Sequence, residues 1–364
     1  MGPGTEFGFE LRVCAWAERS WPPGSDRDVP VLVARQLGWG RRRWDTLVFE
    51  VDSTALGERG AFGPERLNGD LLHVVRNAPA DWAYYRDALP HPGYPWRYVR
   101  EAIHEAADRD VLESRKQGRR IEIRRIRPYP DWIDRVVAIE NKPDLDASAA
   151  RALQGQLERD VALGLADEVW LATERTGDRV EPALLEQIPV DVGILTLEIA
   201  ADGGAQGAEV LWQPRSLEVD RPGTRIVDRA ETGGYDQSAA TFEYMSPAEK
   251  RDKRLEIGER AYERGWRGYI DTMRSDCRHF DLLRVDPTYV PYCRAKDREQ
   301  TAHECRGGCP QFEPEPPAWR QRGWPLSGGP GGTVARVLAE RRARQRQAGS
   351  AESNSTSERG SASR

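Results

Sequence analysis

Apolar and polar positions along the chain divide it into short strand-like runs and longer helical stripes. Val136-Val137-Ala138-Ile139 is an unbroken apolar run bounded by charge, the pattern of a short buried strand, and it ends on Glu140. Leu153, Leu157 and Val161 recur at i, i+4 and i+8 and predict a helix from Ala147 to Leu165. Val169–Thr173 and Val190–Leu197 read as two further strands, and Trp44–Asp52 as an earlier one with an acid at its start. Phe9, Val13, Trp16 and Ala17 form one stripe of a helix from Glu6 to Trp21, ended by Pro22-Pro23-Gly24. A second helix is expected around Val31–Leu37.

The segment from Pro64 to Arg127 has a different rhythm. Leu67–Arg76 and Asp81–Asp87 read as short helices, and Trp96–Ala107 as a longer one. Val111–Ser114 and Ile121–Arg127 alternate as a hairpin joined through Lys116-Gln117-Gly118. Helices followed by a basic hairpin predict a winged helix-turn-helix placed between two strands of a core. Val210–Trp212 reads as an edge strand, and the polar stretch Pro214–Ala240 as a linker. Ser246-Pro247-Ala248-Glu249 is a capping box opening a long solvent-facing helix to Arg274. A short basic helix is expected over Val334–Gln347, and the Ser/Gly/Glu-rich remainder is expected to be disordered. The resulting division is 1–63 and 128–213 for the two parts of a core, 64–127 for the insertion, 214–245 for the linker, 246–325 for a helical cysteine-rich region and 326–364 for the tail.

At 364 residues the chain has room for two or three domains and a sizeable core. Lys+Arg 54 against Asp+Glu 59 gives a net charge of −5, so any contact with nucleic acid has to rest on local basic patches. No apolar run is long enough to span a bilayer and no signal-peptide core is read, so a soluble, cytoplasmic protein without a membrane partner is expected. Of the five cysteines, four crowd into the last quarter as Cys277, Cys293, Cys305 and Cys309. In a cytosolic protein that crowding favours metal over disulfides.

The candidate chemistry sits at the end of the central run. Strand periodicity places Glu140 and Lys142 on one sheet face, and a carboxylate beside an ammonium at a strand end suits a divalent metal acting on a phosphate. On its own, Glu-x-Lys on a strand is most often a solvated surface pair. Hydrolysis also needs a further acid, and Asp45, which opens its own apolar strand, is preferred. Asp131 lies in a turn only nine residues before Glu140, and Asp134 is a third candidate.

This order of strand with Asp45, strand with Glu140-x-Lys142, helix with Gln156-Leu157 and a further strand resembles the PD-(D/E)XK nuclease superfamily. The resemblance covers about residues 6–56 and 128–200. It implies an α/β fold with a mixed sheet flanked by helices, and Mg²⁺ or Mn²⁺ held by Asp45 and Glu140. Lys142 would then orient water or stabilise the transition state, with Gln156 positioning and Glu10 of the first helix joining the site. Most of the chain also resembles an uncharacterised haloarchaeal protein family, which implies no activity.

Arg115, Lys116, Arg119, Arg120 and Arg124 load the hairpin with positive charge that could follow a DNA backbone, although charge runs usually face water. The helix at 96–107, with Tyr98, Arg100, Glu101 and His104, would enter the groove, and its mixed charge argues against strong base readout. The four C-terminal cysteines are candidate ligands for Zn²⁺ or a [4Fe–4S] cluster. The superfamily resemblance implies a second wiring, in which Cys14 joins Cys293, Cys305 and Cys309 around an iron–sulfur cluster, although Cys14 lies on the apolar side of its helix. The function expected first is a metal-dependent DNA nuclease of a repair, restriction or processing type. A catalytically inactive DNA-binding scaffold with a structural metal cluster is the alternative, and a redox-switched transcriptional regulator a third.

Overall fold

The run Val136–Ile139 lies in the middle of a six-stranded mixed sheet with helices packed on both faces. The computed structural model describes residues 6–25, 29–40, 42–174, 186–199, 205–229, 240–285, 288–314 and 336–346. In chain order α1 (Glu6–Ser20) is followed by β1 (Val31–Trp39), β2 (Arg42–Val51) and α2 (Ser53–Arg59). The insertion holds α3 (Gly69–Asn77), β3 (Ala83–Tyr84), α4 (Tyr85–Ala88), α5 (Trp96–Asp108), β4 (Leu112–Gln117) and β5 (Arg120–Arg125). The chain returns through β6 (Ile133–Asn141), α6 (Ala147–Leu163), β7 (Glu168–Glu174), β8 (Gly193–Ile199) and β9 (Ala205–Trp212). Then come β10 (Gly223–Arg229), β11 (Ala240–Met245), α7 (Pro247–Arg264), a 3-10 turn at Trp266–Thr272, β12 (Phe280–Val285), β13 (Thr288–Cys293) and β14 (Arg298–Glu299). A last helix covers residues 336–346.

The sheet runs β1-β2-β6-β7-β8-β9. β1 is antiparallel to β2 and β2 to β6, then β6, β7 and β8 are parallel, and β9 turns back antiparallel. Strand alternation sorts the core. Val48, Val137 and Ile139 face α1 through Phe9, Val13 and Trp16, while Leu47, Phe49, Val136 and Ala138 face α7 through Ile257, Ala261 and Tyr262. Leu157 of α6 packs on Val169 and Leu171, so α6 crosses over between the two central parallel strands. Gly164 ends α6 in the left-handed region at φ 55°, a conformation glycine adopts without a Cβ penalty.

Four expectations are corrected. Val31–Leu37 is part of β1, because its β-branched residues find a ready antiparallel partner in β2 across the turn at Gly40. Asp81–Asp87 gives a two-residue strand before a single helical turn, since Ala83 and Tyr84 pair with Ile123 and Glu122. The expected linker contains β10, which pairs with β11. The helix from Ser246 stops at Gly265 and is not solvent-facing: Lys250, Ile257, Glu259, Ala261 and Tyr262 are buried.

The insertion folds around its own core, with Leu71, Val74, Val99, Ile103 and Ile123 at its centre. Its sheet has the order β3-β5-β4. No helix among the described residues is long and apolar enough to cross a membrane. The expected tail helix is present at 336–346, and the rest of the tail lies outside the described residues.

Candidate active site

Asp45 and Glu140 meet across the β2–β6 ladder. Thr46 pairs with Ile139 at the end of the β2–β6 ladder, so Asp45 and Glu140 lie just beyond its last rung, close enough for their charges to interact. The Asn141 main-chain N–H donates to Asp45 Oδ2 at 3.0 Å, and the Gln36 amide donates to Asp45 Oδ1 at 3.0 Å. Gln36 also donates to Glu10 Oε1 at 2.9 Å, bridging the helix carboxylate to the strand carboxylate. It does so from a left-handed backbone at φ 53°, an uncommon state for a residue with a Cβ and one that recurs at functional sites. Glu10 is not the surface residue that most helical glutamates are: it is 6 % exposed and receives a two-pronged ion pair from Arg35 at 2.8 and 3.0 Å.

Glu140 is 8 % exposed and its Oε2 accepts from Arg42 at 2.9 Å. Arg42 also holds Asp160 of α6 at 2.6 Å, and the Trp44 indole N–H donates to the same carboxylate at 3.0 Å. Burial, then the neighbouring Asp45 charge, push Glu140 up to about 7, against the pull of Arg42 and Gln156. Glu10 is raised as well, by burial first, with Asp45 adding to the rise and Arg35 opposing it. Arg35 is thus matched to Glu10, and Arg42 is shared by Glu140 and Asp160. Asp45, only part-buried, is met by neutral donors. The carboxylate group therefore carries unbalanced negative charge at its open end.

Strand alternation does not carry through to Lys142. β6 ends at Asn141, and the Lys142 ammonium reaches Glu6 at the start of α1, 2.9 Å away. Glu6 chiefly, with help from Asp45, holds Lys142 above the usual lysine range. Gln156 lies on the sheet-facing side of α6. Its amide favours the ionised Glu140, and its Nε2 is buried with no hydrogen-bond partner of good geometry among the described residues. Asp131 is exposed, and Asp134 faces Asp52 and Glu50 at the other end of the strand.

Sequence reasoning brings Glu10, Asp45, Glu140, Lys142 and Gln156 to this corner but misses Gln36, Arg35, Arg42 and Asp160. Arg42 belongs to the Arg-rich lead into Asp45, and Asp160 follows Gln156 by one helical turn; that spacing was the available signal. Among the described residues no three His, Cys, Asp or Glu side chains converge into a ready metal cage.

The hairpin residues divide into two sets. Arg115 and Arg124 flank Trp82, at 4.2 and 5.0 Å from its ring, and pair across the strands with Glu122 and Glu113. Lys116, Arg119 and Arg120 at the tip are exposed, with Arg120 over Tyr84 at 5.1 Å.

Cys14 is fully buried beside Thr46 Oγ1, 3.3 Å away, inside the α1 core. Cys277, Cys293, Cys305 and Cys309 line one cavity, of which Cys14 is not a part.

Residues 32–314 match a family of unknown function, DUF5787, over most of the chain. The protein belongs to this family. The DUF5787 span takes in Asp45, Glu140, Lys142, Gln156 and all four C-terminal cysteines, and begins after Glu10 and Cys14. No curated protein and no solved structure matches the chain.

Proposed function

We propose that this DUF5787 protein is a Mg²⁺- or Mn²⁺-dependent DNA nuclease built on a PD-(D/E)XK-like core. The observation that carries the proposal is the closeness of Asp45 and Glu140 at the end of the β2–β6 ladder, with Lys142 also within the field of Asp45. Two neighbouring carboxylates, of which Glu140 is held above the usual glutamate range by burial and by the Asp45 charge, are an oxygen donor set suited to a hard divalent cation. Asp45 and Glu140 would hold it, with the carbonyl of Asn141 and with Glu10 reaching in through Gln36. The metal when bound supplies Lewis-acid stabilisation of the phosphate and acidifies water.

The protein's own groups do the positioning. Asn141 N–H and Gln36 fix both oxygens of Asp45. Arg42 takes one oxygen of Glu140 and braces it against α6 through Asp160. Lys142, kept cationic, orients the attacking water or opposes the charge that builds on the phosphate oxygens.

The insertion supports DNA as substrate. Its helix–strand–helix–helix–strand–strand order with a β3-β5-β4 sheet suits a winged helix. The exposed Lys116, Arg119 and Arg120 would follow phosphates, and Tyr98, Arg100, Glu101 and His104 on the outer face of α5 would lie towards the groove.

A second reading has its own observation. Glu140 is committed to Arg42 and Lys142 to Glu6, an arrangement equally suited to an inactive DNA-binding scaffold. Cleavage of supercoiled plasmid and of labelled single- and double-stranded DNA by wild type and Lys142→Ala separates the two. The nuclease reading expects cutting that needs Mg²⁺ or Mn²⁺ and falls by at least ~100-fold in the variant, with DNA binding retained. A folded wild type that binds DNA and cuts none of these substrates establishes the scaffold instead.

A further inference from the structure

A second site lies away from the acidic corner. Cys277, Cys293, Cys305 and Cys309 face one cavity of about 20 Å³ walled by Phe280, Tyr292 and Phe312. All four are free thiols. The backbone presents them from tight turns: the carbonyls of Cys277, Cys293 and Cys309 each accept the N–H three residues on, from Phe280, Lys296 and Phe312. Cys305 is held by a bond from the Arg274 N–H to its carbonyl, and Cys293 is aligned by its pairing with Phe280 across β12–β13.

An independent observation points to an occupant. Gln300 is 2 % exposed and lines the same cavity, yet neither its Nε2 nor its Oε1 has a partner among the described residues. Buried amides are rarely left so, and a metal-bound thiolate sulfur would accept the Gln300 N–H. Arg274, stacked on Phe312 with its guanidinium 3.6 Å from the ring centre, also stands within the field of Cys277 and Cys305. His279 pairs with Glu313 and does not line the cavity, so the donor set is all sulfur.

We infer that Cys277, Cys293, Cys305 and Cys309 bind one zinc ion as a closed four-thiolate structural site. The cavity between the four thiols admits a small occupant such as a single ion. Four thiolates complete the zinc shell and leave no position for a substrate, so the role is structural. Binding releases the thiol protons to solvent and leaves a net double negative charge beside Arg274, which is itself paired with Asp276 at 2.8 Å. The sulfurs do not yet form a closed cage, so the ion draws them inward. The site ties down a module that grips α1 through Arg12–Glu299 at 2.6 Å and Arg267–Glu18 at 2.7 Å. Zinc therefore steadies the helix that carries Glu10.

The test is elemental analysis of the full chain, purified without chelators from zinc-supplemented medium. One zinc per chain is expected in a colourless protein, lost in a Cys293→Ser, Cys305→Ser double variant. Because that variant can fail to fold, the wild-type chain is also loaded with Co²⁺ in place of zinc. Intense visible bands of tetrahedral thiolate-bound cobalt, abolished by competing Zn²⁺, are expected. Stoichiometric iron and sulfide with a bleachable brown band would overturn zinc. A metal-free chain with reactive thiols or two disulfides, and no cobalt bands, would overturn the site altogether.

Discussion

At the scale of single residues, Glu140 couples stability to pH. Its proton affinity in the fold is raised to about 7 from an ordinary glutamate value of 4.5, by burial and by Asp45. The folded state therefore binds this proton more tightly than the unfolded chain does. The stability tied to it is complete below about pH 4.5 and is lost as pH rises through about 7. Glu140→Gln should accordingly melt at a higher temperature than wild type above about pH 8 and at the same temperature near pH 4. Millimolar Mg²⁺ should raise the wild-type midpoint at high pH and leave the variant unmoved. Thermal melts across pH check both, and a variant that is less stable at high pH would contradict the assigned environment. Asp45, Glu140 and Lys142 were legible because each sits at the edge of an apolar run, where a charged residue stands out. Arg42, Asp160 and Gln36 were not, because a polar residue in an Arg-rich lead, on a helix or in a strand looks like any solvated side chain. Only the closure of β1 and α6 onto β2 reveals their partners.

At the scale of elements, the joint between the insertion and the core rests on an ion pair with no solvent contact. Arg59 of α2 donates to Glu259 of α7 at 2.6 Å, with both side chains 0 % exposed. Arg59 also reaches the carbonyls of Gly63 and Glu65, and Glu259 accepts from Tyr129 and from the Leu67 N–H. Removing one partner strands a buried charge, so Arg59→Met should cost about 3–5 kcal/mol. The double change Arg59→Met, Glu259→Leu should cost less than the sum of the single changes, because it leaves no orphan. Denaturant unfolding of the three variants checks this, and strict additivity would speak against the pair as a unit. The elements themselves were partly readable. α1, α5, α6, β7 and the β4–β5 hairpin announce themselves by stripe or alternation. β1 did not, since the spacing of Val31, Val33 and Leu37 fits either period and the choice falls to the partner strand. β10 and β11 present Ile226, Phe242 and Tyr244 to solvent, so their alternation carries no buried face to read.

At the scale of the whole molecule, an overall charge of −5 has to be reconciled with the polyanionic substrate proposed for it. The hairpin tip concentrates positive charge where Arg115 and Arg124 are already neutralised by Glu122 and Glu113. DNA affinity should therefore depend on Lys116, Arg119 and Arg120. Changing all three to Ala should flatten the plot of log affinity against log salt by roughly 0.9 for each phosphate that is no longer neutralised. Fluorescence anisotropy over a salt series measures the slope, and an unchanged slope would remove the hairpin from the interface. The change of rhythm at residues 64–127 and the crowding of four cysteines in the last quarter were visible in the sequence. The grip of that end on α1 was not, because it depends on pairs such as Arg12 and Glu299 that lie far apart in sequence.

The central claim is that Asp45 and Glu140 hold a divalent metal for phosphodiester cleavage. It is tested most directly by incubating labelled duplex and single-stranded DNA with wild type and Asp45→Asn in Mg²⁺, in Mn²⁺ and in EDTA. Cutting by wild type with either metal, none in EDTA, and none by the folded variant is the predicted result. Cutting that persists in Asp45→Asn or in EDTA would place the chemistry elsewhere.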